Sequence, residues 1–170
     1  WQDQLPERHQ FAAFARKAAE WLQVRHSRVY GLIASLVGCP YKYGGNTPDE
    51  GLDCTGMSIQ LWDWSVRMGL LHPLSRPMMR RAVEQGERSG YGQVPLSDVQ
   101  YGDLLCYGTG EHVGHITVCL GRYLPGWGIG ANSGRSHTNN DNPNARVKLF
   151  RYSGERMYWR KGFKFAVRPR

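Results

Sequence analysis

The apolar positions of this 170-residue chain change period near residue 100. Before that point they recur every three or four residues, the spacing of one helix face. After Pro6, Phe11, Phe14, Ala15, Ala18 and Leu22 fall on one stripe, with Arg16, Lys17 and Glu20 mostly off it, which predicts an amphipathic helix. A second helix is predicted from about Ser27 to Val37, with Val29, Leu32, Ile33 and Leu36 on one side and Gly38 ending it. A third runs from Cys54 to about Met68, buried through Ile59, Leu61, Trp62 and Val66. Between residues 70 and 100 a short helix is expected from Met78 to Arg88, after Pro77; the rest of that stretch reads as connection, and no catalysis is placed in it. From Gly102 the pattern turns to strands: Leu104 to Tyr107, Val113 to Leu120, Trp127 to Asn132, Arg146 to Phe150 and Phe163 to Val167. Helices followed by antiparallel strands predict an α+β domain with the third helix packed on the sheet.

The stretch joining the second and third helices carries the candidate chemistry. Pro40 forbids helix continuation, Gly44, Gly45 and Pro48 form turns, and Tyr41 and Tyr43 arrive beside Cys54. A cysteine that opens a helix meets unsatisfied N–H groups and the positive end of the helix dipole, which favour the thiolate and mark Cys54 as a candidate nucleophile. Asp53 is placed to cap the same helix, and Gly56 to let a backbone or a substrate approach closely. A cysteine nucleophile needs a base that titrates near neutrality, and His115, at the start of a strand, supplies an imidazole. His112, three residues earlier, is expected to point elsewhere.

Four blocks in this order, Tyr41 to Gly45, Gly51 to Gly56, Gly102 to Leu105 and Gly114 to Gly121, resemble the NlpC-type cell-wall cysteine peptidases over roughly residues 28 to 132. The resemblance implies a papain-like core and hydrolysis of peptidoglycan stem peptides between D-glutamate and a diamino acid, without metal or organic cofactor. It divides the chain into an N-terminal helical extension, 1–26, and a peptidase domain, 27–170. It implies a substrate-lining tyrosine, for which Tyr41 and Tyr43 both qualify, an aspartate, Asp53, that contacts a free amine of the stem, and Thr55 where serine is usual. The family orients its imidazole with a polar residue on the next strand, and here Gly130 takes that place. Asn132 shares a face with position 130 and is the nearest replacement, His137 is the alternative, and a Cys54–His115 dyad is the third possibility. An amidase or an acyltransferase would use the same groups, and a wall-binding component of a phage tail is a further alternative.

Composition adds three constraints. The net charge of +8 is concentrated toward the end, where Asn142 to Arg170 carry nine Lys or Arg against Glu155 alone. Such an end is either a solvated basic face or a contact for an anionic wall polymer, and the absence of a compact nucleic-acid motif argues against nucleic acid. Trp127, Tyr158 and Trp159 are read as packing before sugar contacts. Of the four cysteines, Cys106 and Cys119 sit in apolar strands and read as buried thiols, a bridge between them being the lesser reading, and no pair has metal-site spacing. No apolar run reaches the roughly 18 residues needed to span a bilayer. The chain opens at Trp1 without a charged-then-apolar leader, read as processing or excision from a longer chain, with a slight tilt toward a phage source. The resemblance places its action on the bacterial wall, in periplasm, outside the cell or on a virion.

Overall fold

A computed structural model describes residues 27–132, 145–152 and 162–170. The helix expected before residue 26, His137, Tyr158 and Trp159 lie outside the described residues. Three helices, α1 (Ser27–Leu36), α2 (Cys54–Arg67) and α3 (Arg76–Ser89), precede most of the strands. A two-stranded hairpin, β1 (Asn46–Thr47) and β2 (Gly51–Leu52), lies in the loop before α2. The main sheet holds β3 (Gln93–Val94), β4 (Leu104–Tyr107), β5 (His115–Cys119), β6 (Trp127–Asn132), β7 (Arg146–Arg151) and β8 (Phe163–Val167) in the order β3-β8-β4-β5-β6-β7, every neighbouring pair antiparallel.

Each helix starts and stops for a local reason. Gly38 takes φ +87° and turns the chain after α1, and its N–H bonds to Val147 O of β7 at 2.9 Å. For α3, Ser75 accepts from Met78 N at 3.4 Å as N-cap, and Gly90 closes the far end at φ +67°. The helix therefore begins at Arg76, ahead of Pro77, because a proline in the first turn has no N–H that the helix would use. β5 is shorter than expected, since Val113 and Gly114 belong to the turn that follows β4.

Alternation along the strands divides the core in two. Leu104, Ile116, Val118, Ile129, Ala131, Val147 and Leu149 pack with Met57, Leu61 and Trp62 of α2 and with α1. Leu105, Tyr107, Cys119, Phe150, Tyr152 and Ala166 form a second cluster. With both faces covered, every residue of β4 is buried. Cys106 belongs to the first cluster and Cys119 to the second, so the two sulphurs face opposite ways and no bridge forms; all four cysteines are free.

Among the described residues of the basic end, four cations are engaged within the domain. Arg168 donates to Asp103 from Nε at 3.0 Å and Nη2 at 2.9 Å, Lys164 Nζ donates to Gly110 O at 2.8 Å, Arg151 lies 5.6 Å from the Trp127 ring centroid and Arg170 5.3 Å from that of Tyr91. The pairings of Lys164, Arg168 and Arg170 hold the last strand and the residues after it against the rest of the fold, and that of Arg151 joins β7 to β6.

Candidate active site

Asp53 fixes the start of α2. Its extended backbone precedes the helix, and Oδ1 accepts from Gly56 N at 2.6 Å while Oδ2 accepts from Gly44 N at 3.1 Å. Gly45 O in turn packs onto the first turn of α2: a Cβ on Gly56 would stand 2.0 Å from it, so glycine is required there for the approach of another backbone. Cys54, the first helical residue, is thereby clamped between the 44–45 turn and the sheet.

The sulphur of Cys54 receives the backbone N–H of Ile116, the residue after His115, and the N–H and hydroxyl of Thr55, whose Oγ1 lies 3.9 Å away. These donors favour the thiolate, but burial outweighs them and, with the charge of Asp53, pushes the thiol up from its usual range. The donors at the helix terminus and the burial of the sulphur thus act on the thiol in opposite directions. Desolvation is the larger effect.

Cys54, Thr55 and His115 line one open cavity of about 460 Å³. Two features of its wall were not legible from the pattern. His112, expected to point elsewhere, lines the same cavity, because residues 108–114 turn tightly, with Gly114 N bonded to Tyr107 O at 2.9 Å. The opposite wall is α3, where Arg76, Met79, Arg80, Val83, Glu84 and Glu87 recur at helical spacing along one face. The stretch from which chemistry was excluded supplies this wall. Its signal in the sequence was the alternation of charge and apolar bulk on that face.

Arg76 reaches from α3 to the cap of α2: Nη2 lies 3.1 Å from Asp53 Oδ1, Nη1 lies 3.4 Å from Oδ2, and Nη2 also donates to Asn46 Oδ1 at 2.5 Å. Of the two loop tyrosines, Tyr41 is buried and lies close enough to Cys54 and Asp53 for their charges to help raise its hydroxyl to about 12, burial being the main cause. Tyr43 is 73% exposed. The β5–β6 register pairs Val118 with Ile129 and Cys119 with Gly128, and on its other side Asn132, at the end of β6, pairs with Arg146 of β7. Asn132 is buried. A Cβ on Gly130 would stand 3.7 Å from His115 Nε2, which locates the departure from the family pattern beside the imidazole. Among the described residues no group of His, Cys, Asp and Glu gathers that could hold a metal ion, and no helix is long and apolar enough to cross a membrane.

A helix that opens on cysteine, packed against an antiparallel sheet whose strand opens on histidine, defines an α+β fold of the papain-like kind. The NlpC/P60 family matches residues 38–153, and the chain belongs to that family. Its fold is shared with an NLP/P60 family lipoprotein-like protein of Staphylococcus aureus, at 19% identity and a TM-score of 0.55, over 83% of this chain and 40% of that one. The NlpC/p60 domain of the peptidoglycan hydrolase SagA matches at 23% identity and a TM-score of 0.52, over 85% of this chain and 99% of that one. NlpC1 of Trichomonas vaginalis matches at 18% identity and a TM-score of 0.54, over 84% of this chain and 43% of that one. The chain thus spans about two fifths of the length of the first and third of these proteins. No curated protein matches the chain.

Proposed function

We propose that this protein is a cysteine peptidase that cleaves an amide bond of peptidoglycan stem peptides, between D-glutamate and a diamino acid, and so acts outside the cytoplasmic membrane on the cell wall. The observation that carries the reading is the presence of Cys54 and His115 on one open cavity, the cysteine at a helix N-terminus and the Ile116 N–H directed at its sulphur.

His115 acts as the base that takes the proton of the Cys54 thiol. The sulphur adds to the amide carbonyl, and the Cys54 N–H, one of the unsatisfied donors at the start of α2, faces the oxyanion. His115 passes the proton to the departing amine, water then cleaves the thioester, and the products are a carboxylic acid and a free amine. Asn132, at the end of the strand next to β5, is the residue assigned to orient the imidazole through its side-chain oxygen. Thr55 lines the cavity beside the sulphur, Tyr41 is buried near Cys54 and supports its surroundings without lining the cavity, and Asp53 acts through the helix cap and Arg76 rather than as a direct contact.

The test is mass spectrometry of fragments from purified sacculi. A new amine on the diamino acid supports the reading, and its appearance must depend on Cys54: the C54A variant binds sacculi but releases nothing. Whole stems freed from muramic acid would instead identify an amidase, and transfer to an added amine an acyltransferase.

A further inference from the structure

Asp53 has no remaining capacity to accept a hydrogen bond. A carboxylate offers about four lone-pair sites. Gly56 N–H and Arg76 Nη2 occupy Oδ1, and Gly44 N–H and Arg76 Nη1 occupy Oδ2. An ammonium group entering the cavity therefore meets no open acceptor on Asp53.

Arg76 is in the converse position. A guanidinium carries five N–H donors, and three are directed at Asp53 and Asn46. Those that remain are Nε–H and one hydrogen of Nη1, on a side chain 40% exposed that lines the cavity together with Cys54 and Thr55. The unsatisfied N–H groups of α2 add partial positive charge at the same spot. One turn further along α3, the Arg80 guanidinium is already paired with Glu84, donating from Nε to Oε1 at 3.0 Å, and Glu84 and Glu87 lie roughly 12 to 16 Å from Arg76 along the helix axis at 1.5 Å per residue. Next to the nucleophile, then, the cavity offers the open N–H donors of Arg76, and the carboxylates that line it stand toward the other end.

We propose that Arg76 is a specificity-determining residue that binds a free carboxylate of the substrate beside the scissile amide. The proposal rests on the peptidase reading above and narrows its substrate. A glutamyl residue joined through its γ-carboxyl keeps an α-carboxylate, which a planar guanidinium held rigid by Asp53 receives in a charge-assisted hydrogen bond. Amidation of that carboxylate puts an N–H₂ donor against the donors of Arg76. The protein therefore selects stems with a free glutamyl carboxylate over amidated stems, and it does so without requiring a free amine at Asp53.

The experiment uses two synthetic stem peptides that differ only in this carboxylate and its amide. The wild-type protein is expected to cleave the carboxylate form with at least about tenfold higher kcat/KM, the scale of one charge-assisted hydrogen bond. R76Q should bring the two peptides to within about twofold, mainly by raising KM for the carboxylate form, and R76K should keep part of the preference. Binding of both peptides to C54A, measured by calorimetry, separates this inference from the peptidase reading and does not depend on how well R76Q folds. Preferential binding of the carboxylate form without cleavage by the wild type would sustain the role of Arg76 and sink the peptidase reading. Equal cleavage of both peptides would overturn the role of Arg76 alone, and failure to bind or cleave either would overturn both.

Discussion

Gly130 lies against the imidazole of His115: a Cβ on it would stand 3.7 Å from Nε2, and only 2.5 Å from Cγ2 of Thr117. The neighbour on β5 thus closes position 130 to any side chain, including the polar one that the family carries there. The absent polar group and the threonine methyl are two sides of one packing choice. G130A is expected to cost about 1–3 kcal/mol through overpacking and to lower kcat by displacing the ring of His115. Adding T117S removes Cγ2 and should recover part of both losses, although Thr117 Cβ at 3.2 Å remains a tight neighbour. Thermal melting and kcat on a stem peptide check the pair; an unchanged G130A would mean that β6 moves freely relative to β5.

How much of this site was legible in the sequence follows from the range of the interactions that build it. Asp53, Cys54 and Gly56 are adjacent in the chain, and the cap, the first helical residue and the close approach follow from local geometry. Strands β4, β6 and β8 are legible because short apolar runs bounded by turn residues are also a local signal. Arg76 is different: its meaning depends on α3 lying across the start of α2, a contact between residues 23 apart that no periodicity encodes. The same holds for the place of β8 between β3 and β4, and for the thiol of Cys54, whose titration depends on how deeply the sheet buries it. A helix terminus can be read from sequence, but desolvation cannot.

The buried thiol of Cys54 gives a pH dependence of known sign. A thiol raised above its ordinary value of 9.0 is protonated at neutral pH, so alkylation by iodoacetamide should be slow near pH 7 and rise steadily through and beyond pH 9. A plateau of fast alkylation from below pH 7 would instead mean a resting thiolate–imidazolium pair. H115A should then slow alkylation near neutrality by tenfold or more, whereas with a thiol at rest it should leave the alkylation profile nearly unchanged while abolishing peptide cleavage.

Asp103, in the third family block, has a structural task. It is buried, accepts Gln100 N at 2.7 Å and receives both Nε and Nη2 of Arg168. Replacing it by alanine leaves a guanidinium without its partner, and because the Arg168 side chain is 30% exposed, water recovers part of the loss. About 2 kcal/mol of destabilisation is expected, below the 3–5 kcal/mol typical of a fully buried broken pair, and with it a melting temperature lower by roughly 4–8 °C for a chain of this size. The double variant D103A/R168A should cost less than the sum of the two single changes, since either one already abolishes the pair, while Asp103 keeps its bond from Gln100 N in R168A. Independent, additive losses would show that the two residues act separately.

Cys106 provides a second titration that reads the core rather than the site. Burial, with Glu87 nearby, raises its thiol from 9.0 to about 12, only partly offset by Lys164. A group whose folded value exceeds its unfolded value stabilises fully below the unfolded value and loses that contribution as pH rises toward the folded one. The stability advantage of the wild type over C106A should therefore be constant below pH 9 and shrink between pH 9 and 12, with a slope approaching roughly 1.4 kcal/mol per unit of pH. Tyr41 and Tyr101, both raised from 10.0 to about 12, make the wild type itself less stable over the upper part of this window, but they do so equally in C106A and cancel in the difference. Urea unfolding of both proteins at pH 8, 10 and 11 measures that difference directly. A difference that stays flat to pH 11 would mean that the Cys106 sulphur ionises as readily in the folded chain as in the unfolded one, and that β4 is not sealed on both faces.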